Sequence, residues 1–281
     1  MKVVVTGANG QLGQDVVKVL TEQKHVVIAA DRSQLDITSK EAVYAFMEQV
    51  KPDAIIHCAA YTNVDKAEED QEAAHLVNAL GTKYLAQAAN QVGSKMVYVS
   101  TDYVFNGEAS VPYEVDHPTS PLGVYGETKL AGEEFLQEHL ERFFIVRTAW
   151  VYGVYGNNFV KTMLRLGKER GEVGVVHDQV GSPTYTVDLA RFLVELMESE
   201  KYGTYHASNE GVCSWYEFAV EIFKQARLDV KVNPLTTEQF PRPAARPKYS
   251  VLSKDRINKE GFTPLRNWQD ALAVYLDEEN F

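Results

Sequence analysis

A short apolar strand that runs straight into three glycines at three-residue spacing constrains this chain more than any other feature. Lys2-Val-Val-Val5 is a β-branched run with the character of a buried strand. Thr6-Gly-Ala-Asn-Gly-Gln-Leu-Gly13 follows it, and Gln11 to Glu22 then carries Leu12, Val16, Val17 and Leu20 at helical spacing. A buried strand feeding a helix through a tight turn opens a βαβ unit, so the expected fold is α/β with a doubly wound parallel sheet. The turn also suits phosphate, because glycines let backbone N–H groups approach an anion and the helix N-terminus favours negative charge. Gly7, Asn9, Gly10, Gln11, Leu12 and Gly13 are therefore candidate contacts for the pyrophosphate of a dinucleotide.

A second apolar run, Val26 to Ala30, ends in Asp31-Arg32, where a residue that binds the adenosine ribose is expected. Asp31 suits a free 2′-hydroxyl and Arg32 a 2′-phosphate. The reading favours NADP(H), with Asp31 turned aside, and leaves NAD(H) open; Asp36 and Ile37 are placed near the adenine. Asp53 to Ala60 reads as a third strand whose small C-terminal residues leave room for a cofactor beside Ala59, Ala60 and Tyr61. One long helix, roughly residues 71–92, is expected to carry Asn78, a cofactor candidate weighed against a structural role. Lys95 to Thr101 reads as a fourth strand ending in two hydroxyls and Asp102, and ligands in open α/β sheets bind at such strand ends.

Tyr125 and Lys129 stand four residues apart in Val124-Tyr-Gly-Glu-Thr-Lys-Leu-Ala-Gly132, so a helix beginning near Tyr125 holds the phenol and the ammonium on one face. A neighbouring cation favours phenolate, and Lys129 is expected to bring the Tyr125 pKa down towards neutrality and make it an acid–base group. Thr101 is placed to meet Tyr125 across one site.

The glycine turn, the Ser-Thr strand end and Tyr-x-x-x-Lys together resemble the extended short-chain dehydrogenase/reductase superfamily, over nearly the whole chain. Within it, Ser100-Thr-Asp-Tyr-Val-Phe105, Arg147-Thr-Ala-Trp-Val-Tyr152, Asn158-Phe159, Asp178-Gln-Val-Gly-Ser-Pro-Thr184, Tyr205-His206, Ser214-Trp-Tyr-Glu-Phe218 and Arg246-Pro-Lys-Tyr-Ser-Val-Leu252 resemble the dTDP-4-dehydrorhamnose reductases. The resemblance implies a Rossmann-like sheet with a smaller, discontinuous C-terminal substrate-binding lobe. Residues 1–147, with returns at about 172–207, would bind dinucleotide; residues 148–171 and 208–281 would bind nucleotide sugar. It further implies hydride transfer to the C4 ketone of a dTDP-linked 6-deoxyhexose. Thr101, Tyr125 and Lys129 would be catalytic, with Lys129 also holding the nicotinamide ribose. The substrate would meet Thr101, Asp102, Val104, Phe105, Tyr125, Trp150 as a sugar platform, Asn158, and Arg242 and Arg246 at the diphosphate.

A formal charge of −11 argues against a nucleic-acid partner, which needs a basic face. No apolar stretch approaches the ~18–20 residues of a membrane span, and the first strand at residue 2 leaves no room for a signal peptide; with two cysteines, this predicts a cytoplasmic protein. Neither the seven histidines nor the cysteines show ligand spacing, so no catalytic metal is expected. The family resemblance raises magnesium at a dimer contact; the acidic set is unmatched here beyond Asp15, and magnesium and a homodimer both stay open. Two rival classes share the motifs. A nucleotide-sugar dehydratase needs a second carboxyl where Tyr103 follows Asp102, and an epimerase consumes no reduced cofactor. A non-catalytic regulatory subunit would keep the fold to bind a partner enzyme.

Overall fold

The computed structural model describes residues 1–281. Five strands, β1 (Lys2–Thr6), β2 (Val26–Ala30), β3 (Ala54–His57), β4 (Lys95–Thr101) and β5 (Phe143–Thr148), join Gly203–His206 in one parallel sheet. Its order is Gly203–His206, β5, β4, β3, β1, β2. The chain steps outward from β1 to β2 and then crosses back to the far side of β1. The connections leaving β1 and β3 therefore diverge and open a crevice at their carboxyl ends.

The strands are apolar throughout because both faces are covered. Val3, Val5, Ile56, Val97, Phe144 and Val146 pack against α1 (Gln11–Glu22) and the helix Thr186–Glu198. Val4, Ile55, Met96, Tyr98 and Ile145, one residue out of phase, face α2 (Lys40–Val50), the helix Gly81–Val92 and the helix Val124–His139. A separate core built on Tyr152, Val160, Tyr185, Phe218, Ile222, Trp268 and Leu272 holds the second lobe together.

Two elements differ from expectation. Glu172–Val176 does not return to the central sheet; it pairs in parallel with Lys231–Leu235 in the second lobe. Its exposed Glu172 and Gly174 alternate with buried Val173 and Val175, leaving one dry face, which suits a peripheral pair rather than a strand covered on both sides. The expected single helix over 71–92 is interrupted: a π-helical turn, Leu76–Leu80, separates a short α-helix, Gln71–His75, from Gly81–Val92.

At the first turn the backbone of β1, α1 and the end of β3 pack directly on one another. Gly7 adopts φ +64°, and a Cβ there would lie 2.7 Å from Ala59 Cα; a Cβ on Gly13 would lie 2.2 Å from the Gly7 carbonyl oxygen. Gly13→Ala is expected to push α1 off the turn, costing ~1–3 kcal/mol by overpacking and weakening binding of reduced nicotinamide dinucleotide. Thermal unfolding and a cofactor-fluorescence titration check this, and wild-type values in both would contradict it.

Candidate active site

The helix that carries the Tyr-Lys pair, Val124–His139, begins one residue before Tyr125. Its N-cap is Gly123, which has no side chain to cap with; the Glu68 carboxylate instead accepts from Val124 N at 3.0 Å. Lys129 is 2% exposed. Its Nζ donates to the Val99 carbonyl at 2.7 Å and lies 4.0 Å from the centre of the Tyr98 ring. At the end of β4, Thr101 Oγ1 accepts from Tyr103 N at 3.2 Å and donates to Asp102 Oδ1 at 3.1 Å. The second Asp102 oxygen is buried without a hydrogen-bond partner.

One cleft of about 830 Å³ runs from the glycine turn to the ends of β3, β4 and β5, within the range that holds small-molecule ligands. Every expected cofactor contact except Asn78 borders it, from Gly7 through Arg32, Ile37 and Tyr61 to Lys129. Of the expected substrate contacts, Thr101, Asp102, Tyr125 and Trp150 border it. The glycine turn fits a pyrophosphate: Gly7 packs on Ala59 and Gly13 on Gly7 too closely for a Cβ, which holds the turn tight against the strand ends, and the first-turn N–H groups of α1 have no intrahelical acceptors. Asp31 is turned into its own loop, accepting from Ser33 N and Oγ, Gln34 N and Asn9 Nδ2 at 2.6–3.2 Å. These bonds hold its carboxyl below the usual range, while Arg32 borders the cleft beside it.

The remaining expected contacts have other work. Asn78 accepts from Tyr61 N at 2.8 Å and donates to Tyr61 O and Thr128 Oγ1, tying the cleft wall to the Tyr-Lys helix. Val104 and Phe105 are buried, with Phe105 stacked on Tyr113 at 4.3 Å. The 3₁₀ turn Asp102–Val104 presents Asp102 and Tyr103 to the cleft instead. Asn158 caps its own helix through Lys161 N and donates to Gln11 Oε1 at 2.9 Å and Gly153 O at 2.8 Å, which consumes its amide in joining the lobes. Arg246 pairs with Asp65 at 2.8 Å and Arg242 approaches the same carboxylate at 3.8 Å. Their loop is thereby fastened to the cofactor side, outside the cleft lining.

Two aromatic pairs shape the substrate end. Tyr103, the residue after Asp102, borders the cleft and meets Tyr125 edge-on at 5.5 Å. Trp150 stacks on Trp215 at 3.6 Å with 12° between planes, and so offers only part of its ring to the cleft. Trp150 also holds φ +48°, a strained conformation for a bulky residue, of the kind that persists where a site over-determines it. Nothing in sequence spacing pairs Trp150 with Trp215, since 64 residues separate them.

The electrostatics reverse one expectation. Burial pushes the Tyr125 phenol up to about 12, opposed by the Thr101 hydroxyl, and Lys129 is not what governs it. Burial also pulls the Lys129 ammonium down to about 7, opposed chiefly by Glu133. Asp102 is raised to about 6 by burial, opposed by Ser250 and Thr101. In this cleft desolvation outweighs pairing, because Lys129 spends its charge on a neutral carbonyl and a ring face rather than on the phenol.

The family described as RmlD substrate binding domain matches residues 1–281. A dTDP-4-dehydrorhamnose reductase of Aggregatibacter actinomycetemcomitans is 43% identical over 284 residues, covering 96% of this chain and 97% of that protein. The chain belongs to the dTDP-4-dehydrorhamnose reductase family. The structure of a dTDP-4-dehydrorhamnose reductase from Clostridium acetobutylicum is 50% identical, with a TM-score of 0.98 and full coverage of both chains. A dTDP-4-dehydrorhamnose reductase from Bacillus anthracis, solved in complex with NADP, is 46% identical with a TM-score of 0.96 over 99% of each chain.

Family membership makes the Lys129 charge open to test. Deprotonation above about pH 7 removes the buried Lys129 ammonium from the cleft, so kcat/KM should fall on the alkaline side near that value. Tyr125, with its pKa near 12, should show no separate limb below it. A pH profile that stays flat for two units above the Lys129 value would contradict this.

Proposed function

We propose that this protein reduces the C4 ketone of dTDP-4-dehydro-6-deoxy-L-mannose to give dTDP-L-rhamnose, with NADPH as the preferred reductant. The observation that carries the proposal is the convergence of Thr101, Tyr125 and Lys129 on the cleft that begins at the glycine turn, in a chain that matches a reductase family along its full length. Bound NADPH supplies hydride to the sugar carbon. Tyr125 gives its phenolic proton to the oxygen that becomes a hydroxyl; its pKa near 12 keeps that proton in place until the oxygen turns basic. Thr101 orients the same oxygen. Lys129 holds the nicotinamide ribose and offsets the developing phenolate.

The preference for NADPH is supported by the internal hydrogen bonds of Asp31, which leave Arg32 to meet a 2′-phosphate. Asp102, with one free buried oxygen, accepts a sugar hydroxyl, and Trp150 backed by Trp215 forms the apolar wall. Arg246 and Arg242 reach the diphosphate by exchanging Asp65 for it. Tyr103 stands where a dehydratase would need a second carboxyl, which speaks against that chemistry. No helix is long and apolar enough to cross a membrane. The substrate and reductant assign the protein to the cytoplasm.

The test is loss of the near-ultraviolet absorbance of NADPH on adding the sugar nucleotide, with the product weighed. Stoichiometric oxidation and a gain of two hydrogens are expected; product without net oxidation would point to an epimerase. Tyr125→Phe should still bind NADPH but lose ~10²–10⁴-fold in turnover. Near wild-type turnover in that variant would remove Tyr125 from the role.

A further inference from the structure

Beneath the cleft floor lies a buried polar array for which the proposed reaction has no direct use. The Glu133 side chain, one turn beyond Lys129 on the same helix, is 2% exposed. It accepts from Ser100 Oγ at 2.5 Å, from Arg147 Nε at 3.0 Å and from Arg147 Nη2 at 2.7 Å. Ser100 immediately precedes Thr101 on β4, Arg147 precedes Thr148 on β5, and the two are register partners in the sheet. The remaining Arg147 nitrogen, Nη1, donates to Val115 O at 3.2 Å and faces His206 Nε2 at 3.4 Å. His206 Nδ1 in turn meets Tyr113 O at 3.0 Å, which assigns its proton to Nδ1. A buried ion pair adds little net stability over well-packed apolar side chains, so stability alone is a poor reason for one here. Its location gives a better one: it joins the strand that ends in Thr101 to the helix that carries Tyr125 and Lys129.

We infer that Glu133 is a positioning residue, which fixes Thr101 against Tyr125 and Lys129 and supplies the buried negative charge that keeps Lys129 an ammonium. The inference rests on the reading of those three residues as the reacting set. The groups around Lys129 support it. Cys58 and His57 come from the end of β3, Tyr98 from β4, and Tyr125 and Glu133 from the helix itself, with Arg147 behind Glu133. Burial pushes the Cys58 thiol up to about 12, lifts Tyr98 well above its usual value and holds His57 neutral, near 3. Glu133 is thus the anion in the group. Glu133 is the main influence opposing burial at Lys129.

The test follows Lys129 directly, by NMR titration of protein labelled at lysine Cε, with the resonance assigned through Lys129→Arg. In Glu133→Gln the Lys129 midpoint should fall by about one pH unit or more, ~10-fold in its protonation equilibrium, and Glu133→Asp should restore most of it. Ser100→Ala should leave the midpoint in place while slowing turnover ~10-fold, through a looser Thr101. If Glu133→Gln does not fold with Arg147 unpaired, Glu133→Gln combined with Arg147→Met carries the same measurement. An unchanged Lys129 midpoint in a folded variant lacking the Glu133 charge would overturn the electrostatic part, and wild-type turnover in Ser100→Ala would overturn the positional part. Should the wild type fail to oxidise NADPH with the sugar nucleotide, the functional reading falls, and the titration still decides whether Glu133 holds the Lys129 charge.

Discussion

Backbone touches backbone where β1, α1 and the end of β3 meet, and the rest of the site depends on that contact. With a carbonyl oxygen only 2.2 Å from where a Gly13 Cβ would stand, no side chain larger than hydrogen fits without moving the helix. The approach does two things at once. It aims the free N–H groups of the first helical turn into the crevice at the topological switch point. It also brings Ala59 and the segment after it against the turn, which sets where Tyr61, and through Asn78 the Tyr-Lys helix, can lie.

The second organising effect is desolvation. The site is built from charged and hydroxylic groups placed where water is scarce, so each is driven towards its neutral form: Tyr125 upward, Lys129 downward, Asp102 upward. Such shifts cluster at functional sites because they leave a proton donor poised and a cation responsive to what binds. The buried Glu133–Arg147 pair is the counterweight. It sits out of reach of the cleft, yet it shares hydrogen bonds with the residue before Thr101 and bears electrostatically on Lys129.

The two lobes meet through polar side chains at the edge of the site. Asn158 reaches back to Gln11 of the glycine turn, and Arg246 reaches Asp65 on the helix Val64–Glu69 just past the cofactor wall. Both bonds lie beside the cleft rather than across it, and they join the lobes by polar links in addition to the separate hydrophobic cores. The Asp65 link differs in kind, since a bound diphosphate can compete with the carboxylate for the same guanidinium.

Much of the molecule was legible in its residues because the relevant signals are local. Strand-glycine-helix order, apolar runs covered on both faces and the i, i+4 spacing of Tyr125 and Lys129 each follow from backbone geometry over a few residues. Those signals placed the parallel sheet, the crevice end of β4 and one face of the Tyr-Lys helix. Tertiary structure decided the rest, because it depends on which distant groups share a volume. Val104 and Phe105 follow Thr101 by only three and four residues yet turn into the core. Trp150 gains a stacking partner 65 residues away. Glu172–Val176 takes a partner in the second lobe rather than the sheet. Burial dominates the Tyr125 and Lys129 pKa values, and for Tyr125 it reverses the direction that spacing implied. Sequence order specifies neighbours along the chain; solvation and through-space packing are properties of the folded whole.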